Sequence, residues 1–433
     1  MALMSQFQIP KGTFDILPTC ADEPWRASYV WQWAESILRK TALEYGFHEI
    51  RTPLFERTEL FDRGVGETSD IVTKEMFTFN DRGGRSMTLR PEGTAAVMRA
   101  LIDDRLLEKG PVHKLFYIGP MFRYERPQSG RYRQHHQFGA EAVGVSSPEQ
   151  DVEIISLLLE TYRRLGLRDL VVLVNTVGDT ATRDAYRTAL QDYFRPHLAR
   201  LSPESQIRFE KNPLRILDSK DPADKELVAT APSILHHLSP ASKAHFATLC
   251  HLLESLHIPY QMDDKIVRGL DYYHHTVFEI VTQHLGAQNT VGAGGRYDGL
   301  MSQFGGPDLP GVGFGTGIER ILQTLLASGG PFPPAPHPFL YFVPLGEEAR
   351  SHALQHALAC RREGIPTELD LHSKKIGTAL QHATRLNATY ALLLGSEELA
   401  RGEIVLKHLA NREQRTLPLR QLVVELTTLW NTQ

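Results

Sequence analysis

The stretch from Phe116 to Gly144, FYIGPMFRYERPQSGRYRQHHQFGAEAVG, limits what this chain can fold into more than any other. It reads as strand, loop, strand. Phe116, Tyr117, Ile118, Met121 and Phe122 suit a half-buried sheet. Gln128-Ser129-Gly130 supplies a turn. Four arginines, 123, 126, 131 and 133, crowd the loop against one acid, Glu125. The segment Phe138 to Val143 resumes a strand and carries Glu141 among apolar neighbours. A buried carboxylate is costly unless paired, and guanidinium forks suit phosphate. An arginine at the end of one strand and an acid on the next make a pocket for a ligand that is part anionic and part cationic. A solvated, salt-bridged hairpin is the alternative from this stretch alone.

With 433 residues, the chain has room for two or three domains. Its 47 basic and 51 acidic residues exclude a whole-protein basic footprint, so any nucleic-acid contact must come from local patches such as the arginine loop. Cys20, Cys250 and Cys360 are far apart, which fits a reducing compartment and a cytoplasmic location. The sequence holds no apolar run of about 18 residues, so no membrane span is expected. MALMSQFQIPKG has no apolar signal-peptide core.

Apolar residues at 30, 33, 34, 37, 38 and 42 have helical spacing, with Gly46 as a C-cap. Residues 47–55 read as a strand in which Pro53 requires an edge or an interface. Thr88 to Thr94 turns into a helix from about Ala95. Thr94 suits its N-cap, and Glu92 suits the positive end of its dipole. A helix over 148–165 and a strand over 170–176 follow. From about 180 to 260 the pattern is helical with polar links, including a stripe at Phe246, Leu249, Leu252, Leu253 and Leu256. Strand chemistry returns over 266–281.

Glycines at 311, 313 and 315 alternate, so on a strand they share one face. A bare face would let a flat ligand such as adenine lie on the sheet. A close packing contact would demand the same glycines. Gly317 opens a helix with Glu319 and Arg320 in its first turn, and that arginine can reach a phosphate. The pattern is not GxGxxG opening a βαβ unit, so dinucleotide binding is set aside. A proline-rich linker, PFPPAPHP, leads to alternating strands and helices, a small α/β domain with a mostly parallel sheet. That part carries 11 Lys+Arg against 10 Asp+Glu, so charge gives little support for RNA binding there. The His pairs at 135–136, 236–237 and 274–275 lack HExxH spacing or a partner cysteine, so no metal site is expected.

Six stretches together resemble the histidyl-tRNA synthetase family of class II aminoacyl-tRNA synthetases. They are LRPEGT (89–94), residues 122–144 of the hairpin, NPLRILDSKDP (212–222), RGLDYYHHTVFE (268–279), GGRYDGL (294–300) and GVGFGTGIER (311–320). They run in the family's order. The resemblance implies an α+β catalytic domain on an antiparallel sheet, in two parts at 1–178 and 262–328. Between these parts lies a helical insertion, 179–261, whose position between the two catalytic halves suggests a clamp on the tRNA acceptor stem. A linker, 329–337, and an anticodon-binding domain, 338–433, complete the chain. The family is homodimeric through the first helix and the Pro53 strand.

The resemblance also assigns site residues. Arg123 and Arg268 are the catalytic pair, each reaching the ATP α-phosphate and the amino-acid carboxylate. Glu92, Gly93 and Thr94 take the α-amino group of histidine, and Gln137 helps fix it. Glu141 and Tyr273 read the imidazole edge between Tyr272 and Tyr297. Glu125, Arg131, Gly315 and Arg320 join Arg123 at ATP, with Arg320 on the γ-phosphate. Arg126 and Gln128 meet the tRNA acceptor end. His275 stands where many bacterial relatives have arginine, and it is given no role.

The implied chemistry is ATP-dependent activation of histidine, then transfer to tRNA(His). Attack of a carboxylate on the α-phosphorus brings two anions together, so positioning and charge neutralisation dominate. Mg²⁺ enters with ATP. A regulatory paralog that senses histidine without charging tRNA is the main rival. It usually lacks the C-terminal domain and the arginine elements that this chain retains. An ATP-binding RNA chaperone would explain the arginine loop but not a carboxylate-lined pocket.

Overall fold

The computed structural model describes residues 7–66, 69, 71–126, 130–219, 221–267, 272–282, 289–372 and 375–432. The chain parts into two units between Pro333 and Pro334, within the proline-rich stretch.

The larger unit opens with α1 (Ser28–Glu44), which buries Val30, Trp31, Ala34, Leu38 and Ala42 on one face. Gly46 follows at φ +79°, a left-handed conformation that glycine adopts without steric cost. The strand expected over 47–55 does not form as one piece. β1 (His48–Glu49) and β2 (Phe55–Arg57) belong to different sheets. Between them the carbonyls of Thr52 and Pro53 accept from the buried guanidinium of Arg90, at 3.0 and 3.5 Å. After α2 (Thr58–Val65), β3 (Phe77–Asn80) and β4 (Ser86–Leu89) complete a three-stranded sheet in the order β2–β4–β3.

The N-cap of α3 (Thr94–Asp103) is Gly93, not Thr94. The Glu92 carboxylate accepts from the N–H of Thr94 at 2.6 Å and of Ala95 at 2.9 Å, which satisfies two donors the helix leaves open. The Thr94 hydroxyl is thereby turned to another partner. The hairpin follows as β5 (His113–Phe122) and β6 (Gln134–Val143), paired without a break from His113 opposite Val143 to Phe122 opposite Gln134. Next come α4 (Pro148–Leu165), β7 (Leu170–Thr176), α5 (Thr180–Phe194), α6 (Pro203–Lys211), α7 (Pro222–Ala229), α8 (Pro240–Ser255) and β8 (Tyr260–Met262). The strand expected over 266–281 begins only at β9 (His274–Thr282), and 268–271 lie outside the described residues. Then β10 (Thr290–Arg296), α9 (Leu300–Gln303), β11 (Gly311–Gly317) and α10 (Ile318–Ala327) close the unit.

These strands form an eight-stranded sheet in the order β1–β5–β6–β11–β10–β9–β7–β8. The expected antiparallel sheet describes its six inner strands. The outermost pairings, β1 with β5 and β7 with β8, are parallel. One face is buried by α1, α4, α8 and α10. Phe116, Phe138, Phe278 and Phe314 of the sheet meet Trp31, Leu158, Leu249 and Ile321 there. A second cluster, with Tyr186, Leu190, Phe194, Phe209 and Leu227, holds α5 to α7 together. The apolar stripe of α8 joins the main core instead, through Phe246, Leu249 and Leu253.

The smaller unit contains β12 (Leu340–Pro344), α11 (Glu347–Arg362), β13 (Thr367–Leu369), α12 (Ile376–Arg385), β14 (Tyr390–Leu394), α13 (Ser396–Arg401), β15 (Glu403–His408), β16 (Gln414–Pro418) and α14 (Leu422–Asn431). Its sheet order is β13–β12–β14–β15–β16. β12 is parallel to β13 and β14, but β15 is antiparallel to β14 and β16, so the sheet is mixed rather than mostly parallel. Phe342, Ala353, Leu392, Leu406 and Leu426 build a core of its own. No described helix is long and apolar enough to cross a membrane.

Candidate active site

The opposite face of the large sheet carries the site, and strand register explains why. Residues directly paired across a sheet share a face. Leu115, Glu141, Gly313, Gly295 and Val277 form one row. Tyr117, Gly139, Gly315, Ala293 and Glu279 form another. The glycines of β11 do share one face, as their spacing implies, but that face is not bare. A Cβ on Gly313 would stand 1.9 Å from Glu141 Oε2, and one on Gly315 1.9 Å from Gln137 Nε2. A Cβ on Gly311 would strike the Tyr297 ring. The glycines therefore make room for side chains arriving from neighbouring strands.

A cavity of about 210 Å³ opens above these rows. At its base Glu141 is 1% exposed. Thr94 Oγ1 donates to its Oε1 at 2.7 Å, Tyr117 Oη to the same oxygen at 3.3 Å, and Tyr297 Oη to Oε2 at 2.6 Å. Burial pushes this carboxyl up to about 8, against the pull of the hydroxyls. Burial raises Glu92 as well, although the N-terminal amides of α3 oppose the shift. The same burial, with Glu141 close by, drives Tyr117 and Tyr297 far above the usual phenol value, so both remain donors.

A second cavity, about 500 Å³, adjoins the first. Arg123, His135 and Gly315 line both. Arg123 extends the hairpin by one backbone bond to Arg133, and its Nε is held by Pro91 O at 2.8 Å. Arg131 pairs with Glu125 at 3.0 Å. Arg320, in the first turn of α10, donates from Nε to Thr290 O at 3.1 Å. Burial and the nearby Arg131 charge lower Arg320. Burial and Arg123 likewise push His135 down to about 3 and keep it neutral.

A family model described as histidyl-tRNA synthetase matches residues 23–321 of this chain. The chain belongs to the histidyl-tRNA synthetase family. A second model, for the anticodon binding domain, matches residues 340–429. A histidine–tRNA ligase from Protochlamydia amoebophila is 56% identical over 421 residues, covering 97% of this chain and 99% of the relative. One from Anoxybacillus flavithermus is 48% identical, covering 96% and 98%. The crystal structure of apo S. aureus histidyl-tRNA synthetase superposes with a TM-score of 0.82 at 36% identity, covering 97% of this chain and 100% of that one.

Of the residues that the family resemblance assigns, Glu92, Thr94, Arg123, Gln137, Glu141, Tyr272, Tyr273 and Tyr297 line the smaller cavity. Arg123, Glu125, Arg131, Gly315 and Arg320 line the larger one. Gly93 lines neither. A Cβ there would stand 2.2 Å from the Tyr117 ring. Arg126 is exposed and lines neither cavity, while Gln128 and Arg268 lie outside the described residues.

Two contributors escaped the sequence reading. The strand pattern marks Tyr117 only as a sheet aromatic, yet its ring fills the space left by Gly93 and Gly139. Those two glycines were the available signal. His135 was weighed only as a metal ligand. Among the described residues no cluster of three or more His, Cys, Asp or Glu could hold a metal ion.

Proposed function

We propose that this chain activates histidine with MgATP to histidyl-adenylate and then charges tRNA(His). The observation that carries the reading is the continuity of the two cavities through Arg123. One is walled by buried carboxyls and phenols, and the other by three arginines, 123, 131 and 320, together with Glu125, Asp218, Glu279 and Glu319. The smaller takes histidine. Glu92 and Thr94 hold its α-amino group, and Glu141 with Tyr273 reads the imidazole edge. An amino acid without ring nitrogens leaves Glu141 facing an apolar group, a penalty that selects against it.

ATP occupies the larger cavity. A carboxylate oxygen of histidine attacks the α-phosphorus, the new O–P bond forms, and pyrophosphate leaves as the opposite P–O bond breaks. Arg123, and by resemblance Arg268, neutralise the converging anions, while Arg320 holds the γ-phosphate. No side-chain nucleophile or base is needed. Bound with the nucleotide, Mg²⁺ would neutralise charge on its phosphates. Glu125 and Glu279 on that cavity wall offer the hard oxygen donors that suit it.

The C-terminal unit reads the anticodon, and Arg126 and Gln128 meet the acceptor end. A homodimer through the first helix and the Pro53 region is supported by exposed Leu54, Phe55 and Phe79, at 46%, 49% and 44%. A cytoplasmic location follows from the role. The intact arginines and the linker-joined second unit favour charging over histidine sensing. Charging of a tRNA(His) transcript by purified protein tests the reading. Arg123→Ala should lower the rate on the order of a hundredfold or more. Unchanged charging in that variant would refute the role given to Arg123.

A further inference from the structure

Two helices of the 179–261 segment reach the residues that directly follow the cavity tyrosines. The β7–β9 ladder runs beyond Thr176 and Thr276. Val177 N–H donates to His275 O at 2.8 Å, and His275 N–H donates to Gly178 O at 3.0 Å. His275 sits at φ +44°, a left-handed conformation that is uncommon for a residue with a side chain. Asp179 caps α5 by accepting from Thr182 N–H at 2.8 Å, so this helix starts at the junction and its first turn carries Arg183. Arg183 Nη2 lies 2.7 Å from His274 Nε2, and Nη1 donates to Tyr273 O at 3.4 Å.

A guanidinium has no acceptor, so His274 Nε2 accepts and the ring proton resides on Nδ1. Burial and the Arg183 charge push His274 down to about 4, so the acceptor persists at neutral pH. From α8, His245 stacks on His275 at 4.8 Å with 18° between the rings. The Tyr273 ring leaves no space above Gly295, where a Cβ would approach within 2.8 Å. Its place in the cavity therefore depends on how its backbone is held.

We propose that Arg183 is a positioning residue for the amino-acid pocket. By gripping the Tyr273 carbonyl and the His274 ring together, it fixes the backbone from which Tyr273 reaches the cavity. The helical segment thus contributes to amino-acid affinity. This rests on the reading of the smaller cavity as the histidine site.

Histidine-dependent ATP–pyrophosphate exchange with full-length wild type, Arg183→Ala, Arg183→Gln and Arg183→Lys tests it. Exchange by the wild type checks the underlying reading separately. Arg183→Ala should raise the KM for histidine about tenfold or more, with the KM for ATP changed by less than about twofold. Arg183→Lys, which keeps the charge and can grip one acceptor, should recover part of that loss. If the alanine variant does not fold, the glutamine variant, expected to behave like it, carries the comparison with lysine. An unchanged KM for histidine, or KM values for histidine and ATP that rise together, would overturn the proposal.

Discussion

Glu141 has three hydroxyls on its two oxygens, yet it holds its proton to about 8 because water cannot reach it. Its value in the folded chain lies above the ordinary 4.5 of glutamate. Its contribution to stability is therefore complete below about 4.5 and is lost as pH rises through about 8. The neutral, buried His135 and His274 act in the opposite sense below about 6.5, so the thermal midpoint of the ligand-free protein should fall between about 6.5 and 8. Glu141→Gln should flatten the fall, and Glu92, which is raised in the same direction, stays in both proteins. Melting curves at a series of pH values check this, and identical slopes for the two proteins would contradict it. At this scale the sequence was informative where one residue type answers one chemical need. An acid among apolar strand residues marked Glu141. Thr94 was misjudged because its cap role went to Gly93 and Glu92, and its true partner lies 47 positions away.

Elements are joined beside the site by a buried charge network. Asp151 on α4 accepts from Arg296 on β10, and both side chains are fully buried. The same carboxylate meets His245 on α8 at 2.8 Å and Thr276 on β9 at 2.6 Å. Arg296 also donates to the carbonyls of Val145 and Ser147, at 2.9 and 3.1 Å. Removing Asp151 leaves the buried Arg296 with two carbonyls and the partly exposed Asp298, at 3.2 Å, in a medium of low polarity. Asp151→Ala should cost about 3–5 kcal/mol in denaturant unfolding, and a loss below about 1 kcal/mol would count against a paired, desolvated charge. The GGRYDGL stretch stood out in the sequence, but the burial of its arginine did not, because Asp151 lies 145 positions earlier. Periodicity located most long helices and strands. It ran β1 and β2 together because residues 47–55 are apolar enough for a strand while Pro53 breaks the ladder. It passed over α13, which buries no residue and so leaves no apolar stripe to read.

The chain folds as two units, each with its own core, that part within a proline-rich stretch. Residues 331–338, with five prolines in eight positions, can continue neither a helix nor a sheet, and the two units part within them. The order of the strands, by contrast, is not legible in the sequence, since β11 inserts between β6 and β10 from far along the chain. The division of labour follows from the layout. The larger unit holds both cavities, and the smaller one matches the anticodon-binding model. The central claim is that the larger unit's site activates histidine and no other amino acid. ATP–pyrophosphate exchange by the full-length protein, measured with each proteinogenic amino acid in turn, tests it most directly. Exchange is expected with histidine alone. Histidine that binds without supporting exchange would contradict the claim and turn the protein into a sensor despite its arginines.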